Sequence, residues 1–199
     1  MTLRRASSLA PSTRLSETAI PRADPPRRVP IALKESLKKE LDSMEKQNII
    51  IKNEDPVEWV NSVVITKKKN NKIRVCIDPR YLNKFIIRKN KQLPTVDDIL
   101  DKLAGSKYFT KFDCNSGFWT VPLDTESSKL CTFSTPFGNY SYKRLPFGLS
   151  VSTEAFQERM EEAFNDIDNV QFYCDDLIIY ANTVEEHNDI LLKVLKRAQ

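Results

Sequence analysis

Apolar positions change their period several times along this chain, and each change marks an element. Behind Pro30, Leu33, Leu37, Leu41 and Met44 recur at helical spacing with Lys and Glu on the opposite face, which predicts a surface helix covering a core. From 60 to 77 the pattern becomes strand-like. Val60, Val63, Val64 and Ile65 run through a Lys- and Asn-rich turn into Ile73, Val75 and Ile77, the pattern of a β-hairpin. Pro94 opens a short helix (Val96, Ile99, Leu100, Leu103) that Gly105 ends. An aromatic strand over 107–113 follows, and 119–145 alternates apolar and polar residues around Pro136 and Gly138, as further strands would. After Ser152, the residues Phe156, Met160, Ala163, Phe164 and Ile167 share one helical stripe. Residues 170–180 read as two apolar strands joined at an acidic turn. Thr183 with Glu186 then forms a capping box for a last helix bearing Ile190, Leu191, Val194 and Leu195, with His187 as a structural residue beside that stripe.

The first 29 residues differ in kind. Residues 1–30 hold five of the eleven prolines, six Arg, no Lys and two acids, so the expectation is a disordered basic Pro/Ser/Arg-rich leader over 1–29 and one domain over 30–199. The net charge of +4 belongs to that leader, because residues 31–199 carry equal numbers of acids and bases. No apolar run approaches the roughly 20 residues of a bilayer-spanning helix, which excludes a helical span and a membrane partner of that kind.

Four cysteines without a Cys-x-x-Cys pair, and a single His in 199 residues, argue against zinc and against His-dependent catalysis. With no secretion signal, the cysteines read as buried residues of an intracellular protein in a reducing compartment, the cytoplasm or nucleus. Any catalysis must then rest on carboxylates.

Asp175-Asp176 interrupts an otherwise apolar stretch, and two adjacent carboxylates at a bend between buried strands repel each other and lose hydration unless cations neutralise them. Asp113 ends another strand that, in an antiparallel sheet, can bring a third carboxylate to the same edge. Three carboxylates with no His make a hard oxygen site suited to Mg²⁺ or Mn²⁺, and two such ions can serve phosphoryl transfer. A plain hairpin turn accounts for the Asp pair alone equally well. Two further segments favour the metal site: Asp-Cys-Asn-Ser-Gly-Phe at 113–118, and Leu-Pro-Phe-Gly-Leu at 145–149, where Gly148 lets backbone approach a ligand.

FDCNSGF (112–118), RLPFGLS (144–150) and FYCDD (172–176), in that order and spacing, resemble motifs A, B and C of reverse transcriptases, with the nearest likeness to gypsy-type long-terminal-repeat retrotransposons and their Pol polyproteins. The likeness extends upstream through KIRVCIDPRYLNK (72–84) and LPTVDDILDKLAGSKYFTKFD (93–113). It implies an α+β fingers-and-palm fold, with helices on one face of an antiparallel sheet, and RNA-directed DNA polymerisation from a template-primer and dNTPs. The resemblance assigns Asp113, Asp175 and Asp176 as catalytic carboxylates holding two Mg²⁺ or Mn²⁺ ions. It makes Phe118 a gate against the sugar 2′ position, and Arg74 with Lys67 triphosphate contacts. Phe147 and Gly148 become nucleotide-pocket residues; Tyr173, Lys68, Lys69 and Lys72 face primer or template. From the residues alone, Phe118 can equally be a core aromatic and the lysine run a solvated turn. Departures are Ser152-Thr153, where relatives carry Ala-Pro, and an end at Gln199, from which thumb, RNase H and integrase regions are expected to lie outside this chain. The competing expectations are a non-catalytic nucleic-acid-binding remnant and a metal-dependent nuclease.

Overall fold

The computed structural model describes residues 13–67, 73–88, 93–114, 117–173 and 176–198. They fall into two compact units. One draws on Leu9–Arg88 and Val121–Ser152, the other on Lys89–Thr120 and Thr153–Gln199.

In the first unit, helix α1 (Ile31–Lys46) starts directly after Pro30 and buries Leu37, Leu41 and Met44, as its spacing predicts. It packs on β1 (Ile50–Asn53) and β3 (Ile73–Asp78), two strands of a five-stranded sheet. The order is β1-β6-β5-β2-β3, with β2 (Asn61–Lys67), β5 (Thr132–Thr135) and β6 (Gly138–Tyr142) between. The expected hairpin is β2 with β3, paired from Ser62↔Asp78 to Lys67↔Ile73. One pairing departs from an all-antiparallel sheet: β2 runs parallel to β5, and Asn61 secures the join by donating to the carbonyls of Leu130 and Thr132, both at 2.9 Å. Phe133 lies against Tyr140 and Tyr142, whose hydroxyl donates to Val75 O at 3.2 Å; burial pushes that phenol's pKa up. The periodicity of 119–145 gave no sign of the short helix α3 (Thr125–Leu130), which Asp124 caps by accepting from Ser127 N at 2.6 Å.

The expected leader is a correction. Residues 1–12 lie outside the described residues, but from Thr13 onward the segment is tied to the sheet unit. Ser16 N donates to Phe85 O at 2.8 Å and Ile87 N to Arg14 O at 2.9 Å. Asp24 N donates to Val60 O at 2.8 Å, and Val60 N to Arg22 O at 3.0 Å. Arg27 closes an ion pair on Asp78 at 2.6 Å. Disorder is inferred from too few apolar side chains to bury. This strap instead uses backbone hydrogen bonds and charge, while Ile20 stays 65% exposed.

In the second unit, three strands form an antiparallel sheet, β4-β8-β7: β4 (Tyr108–Asp113), β8 (Asp176–Ala181) and β7 (Val170–Tyr173). Directly paired residues share a face, and faces alternate along each strand. Phe112, Leu177 and Phe172 therefore lie on one face with Thr110, Ile179 and Val170. Helices α4 (Ser152–Phe164) and α5 (Val184–Arg197) cover that face: Phe164 meets Phe172 with ring centroids 5.3 Å apart, and His187 Nε2 lies 2.9 Å from Thr110 Oγ1. The expected arrangement of helices on one face of an antiparallel sheet thus holds here. Helix α2 (Val96–Leu103) begins two residues after Pro94, because Thr95 and Asp98 form a reciprocal capping box; of its apolar stripe Ile99 is buried, while Val96 and Leu100 are exposed. At α5, Thr183 Oγ1 accepts from Glu186 N as expected, but the Glu186 carboxylate accepts from Asn182 N and Asn169 Nδ2 instead of closing the box.

Asp78 gives the first unit a pH signature. The Arg80 guanidinium, hydrogen-bonded to both its oxygens, and then Arg27 hold its carboxyl well below the usual range, although burial acts the other way. Asp78→Asn should cost about 1–2 kcal/mol near neutral pH. A depressed folded pKa means the charge stabilises fully above the ordinary carboxyl value of 3.8 and progressively less as pH falls below it. The melting-temperature gap between wild type and Asp78→Asn should therefore narrow from about pH 7 to about pH 3. An equal gap at both would show that these ion pairs contribute nothing.

Candidate active site

Asp113 and Asp176 are register partners at the ends of β4 and β8, and Tyr173 pairs with Asp176 from β7. By strand alternation, all three occupy the face of the sheet that α4 and α5 leave uncovered. Two predicted catalytic carboxylates are thus opposite each other on rigid, paired strands whose other face is buried. Asp175, between β7 and β8, lies outside the described residues, as do Lys68, Lys69 and Lys72. Among the described residues no group of three His, Cys, Asp or Glu side chains converges in a way that would hold a metal.

Like charges directly opposite on adjacent strands repel. Lys111, which the sequence reading passed over, answers that repulsion: its Nζ lies 2.7 Å from Asp176 Oδ2. That hydrogen bond, with the added attraction of Asp113, raises the ammonium pKa. The available signal was its position two residues before Asp113 on the same strand face.

Phe118 follows Asp113 on a 3-10 turn (Gly117–Thr120) and is 8% exposed. Its ring meets Phe156 of α4 edge-on, with centroids 5.3 Å apart. Gly117 permits this packing, since a Cβ there would stand 2.7 Å from Phe156 Cζ.

In the other unit, Arg74 and Phe147 come together. The guanidinium carbon stands 5.3 Å from the Phe147 ring centroid, a cation–π contact between two residues the resemblance assigns to the nucleotide. Lys67 ends β2 and is exposed. Gly148 has φ +102°, a backbone that L side chains rarely adopt, and a Cβ there would lie 3.3 Å from Pro79 Cδ. Asn83 clamps this turn from two sides: its Nδ2 donates to Gly148 O and its Oδ1 accepts from Ser150 N, both at 2.9 Å. The sequence carries no signal for this role of Asn83, because an Asn side chain that mimics a strand neighbour leaves no periodicity to read. Ser152 donates its hydroxyl to Pro146 O at 2.7 Å, so it braces the same turn.

Residues 65–199 match the family described as Reverse transcriptase (RNA-dependent DNA polymerase). The chain belongs to the reverse transcriptase family. Its relatives include the enzymatic polyprotein of Figwort mosaic virus (strain DxS), 36% identical over 131 residues that make up 65% of this chain and 20% of the relative. The retrovirus-related Pol polyprotein from transposon 412 of Drosophila melanogaster is 37% identical over 161 residues, covering 76% of this chain and 13% of the relative. Among solved structures, the prototype foamy virus protease-reverse transcriptase (selenomethionine-labelled CSH mutant) has a TM-score of 0.84 at 26% identity, over 98% of this chain and 26% of that one. The foamy viral protease-reverse transcriptase in complex with RNA/DNA hybrid shares the fold at a TM-score of 0.82 and 24% identity, over 98% of this chain and 26% of that one. The chain spans about a fifth or less of the curated relatives named here. The α+β class and the family read from the three motifs are both borne out. Reverse transcriptases generally use divalent metal ions.

Gly148 offers a direct check on the turn of the second motif. Gly148→Ala should destabilise the protein by about 1–3 kcal/mol, because a Cβ must adopt a strained backbone against Pro79. Urea unfolding midpoints measure this. A midpoint equal to wild type would mean that the turn relaxes without cost.

Proposed function

We propose that this chain is the fingers-and-palm portion of an RNA-directed DNA polymerase of a retroelement, adding dNTPs to a primer 3′-hydroxyl. The observation that carries the reading is the placement of Asp113 and Asp176 opposite each other on the uncovered face of a sheet braced from behind, within a chain of the reverse transcriptase family. On this reading the unit of β4, β7 and β8 is the palm and the five-stranded unit the fingers.

Asp113 and Asp176, with Asp175 next to Asp176 in sequence, are proposed to hold two Mg²⁺ or Mn²⁺ ions. The donor set fits: it is all carboxylate oxygen, and Asp113 is exposed to receive a cation. Bound there, the ions would supply activation of the attacking oxygen and charge stabilisation on the leaving one. The protein's own part is positioning. Paired strands fix the separation of the carboxylates, and Tyr173, 37% exposed on the same face, offers a surface for the primer end. Arg74, held on the Phe147 ring, and Lys67 supply charge for a triphosphate, and the Asn83-clamped turn at Gly148 supplies close backbone approach. Lys68, Lys69 and Lys72 are proposed template or primer contacts. The partners are an RNA or DNA template-primer, dNTPs and the remaining Pol polyprotein domains. Burial pushes the Cys131 thiol up to about 12, which keeps it protonated and unreactive; a reducing compartment such as the cytoplasm or nucleus is the proposed location.

Primer extension on RNA and DNA templates with Mg²⁺ or Mn²⁺ tests the reading. Asp113→Asn should abolish nucleotide addition while leaving circular dichroism and melting temperature near those of wild type, because one ligand charge is lost from an exposed site. Full extension by Asp113→Asn would sink the assignment. Template-primer binding without extension by wild type would make the chain a binding remnant, and shortening of the primer would make it a nuclease.

Phe118 is proposed as the sugar gate. Phe118→Val should raise the ratio of ribonucleotide to deoxyribonucleotide kcat/KM by tenfold or more, about 1.4 kcal/mol in relative barrier. Unchanged exclusion of ribonucleotides together with a lowered melting temperature would show that the contact with Phe156 is the whole role of this ring.

A further inference from the structure

Among the described residues of β4, β7 and β8, Lys111 is the one cation, and it lies on the uncovered face with Asp113 and Asp176. Residues two apart on a strand share a face, so Lys111 neighbours Asp113 along β4. From there its Nζ crosses to β8 and donates to Asp176 Oδ2 at 2.7 Å. Among the described residues β4 is an edge strand, paired with β8 alone. A lysine that merely discouraged pairing with another chain would point its ammonium into water. This one is turned onto a carboxylate, although its side chain remains 63% exposed against 31% for Asp176.

We propose that Lys111 is a resident counter-ion of the carboxylate site, which offsets the charge of Asp176 beside Asp113 and competes with the divalent cation for it. The inference rests on the reading of Asp113 and Asp176 as metal ligands. With no cation bound, the ammonium offsets the repulsion between two carboxylates fixed in register by their strands. Lys111 lowers the negative potential that a divalent ion would meet here, and its ammonium would have to release or share the Oδ2 oxygen for Asp176 to act as a ligand. Because the lysine stem is flexible and largely in water, release is open to it. The electrostatic consequence has a definite sign. Removing the Lys111 charge strengthens metal binding, whereas removing a carboxylate charge weakens it.

Mn²⁺ binding to the full chain tests this without nucleic acid or nucleotide. The ion is titrated into the millimolar range and the free-ion signal is followed by electron paramagnetic resonance. Lys111→Gln should lower the Kd by about three- to tenfold, the range set by an exposed charge acting at close distance. Lys111→Arg, which keeps the charge, should stay within about twofold of wild type. The Mg²⁺ concentration giving half-maximal primer extension should fall in Lys111→Gln by a similar factor. If Lys111→Gln binds Mn²⁺ as wild type does or more weakly, while Asp113→Asn loses binding, the metal site stands and the counter-ion role is overturned. If Asp113→Asn binds as wild type does, or no variant binds at all, the metal-site reading falls and the inference with it.

Discussion

Two carboxylates held face to face by paired strands would push each other apart anywhere that they were free to move. In the β4-β8 register they are not, since Asp113 and Asp176 are locked by backbone hydrogen bonds on one side and by a packed layer on the other. Phe112, Leu177, Ile179 and Phe172 face the helices, and the helices leave the opposite face open. The strain of like charge is thus borne by burial elsewhere in the unit, and Lys111 offsets part of it. Everything else in this unit serves that compromise. α4 and α5 anchor the strands, and Gly117, where a Cβ would collide with Phe156, leaves room for Phe118 to pack against that ring.

The five-stranded unit solves a different problem. Its central parallel pairing of β2 with β5 leaves polar atoms at the junction, and the Asn61 side chain satisfies two carbonyls there. Asn83 does the equivalent work at the Gly148 turn. In both places an amide side chain substitutes for a missing strand neighbour, so a backbone that departs from regular structure still has its hydrogen bonds paired. That is how a loop needing an unusual φ at Gly148 stays in one conformation.

Elements with strong periodicity were legible from residues alone: α1 from Leu37, Leu41 and Met44, the β2-β3 hairpin from its valines and isoleucines, and the α4 stripe from Phe156, Met160 and Phe164. The meeting of Asp113 with Asp176 was legible too, because antiparallel pairing of the two strands brings their acidic ends to one edge. Cross-chain polar pairing was not legible. Lys111 looks like any exposed strand lysine until its partner's register is known, and Asn83 looks like any turn residue. β1 and α3 are too short to show a period. Over residues 13–29 the expected disorder fails for a related reason: composition counts apolar side chains, and this segment is held by peptide groups and guanidinium ions that composition does not count.

That strap also fixes an order of events in synthesis. Its backbone partners are Val60, Phe85 and Ile87, so residues 14–24 emerge long before anything exists for them to pair with. α1 and the β2-β3 hairpin can form from local contacts as they are made, but the strap must wait, extended and solvated, for chain up to 73 residues downstream. Its proline content suits that interval, since a segment kept from helix and sheet offers little for premature pairing. The first residues made in this unit are thus among the last to settle.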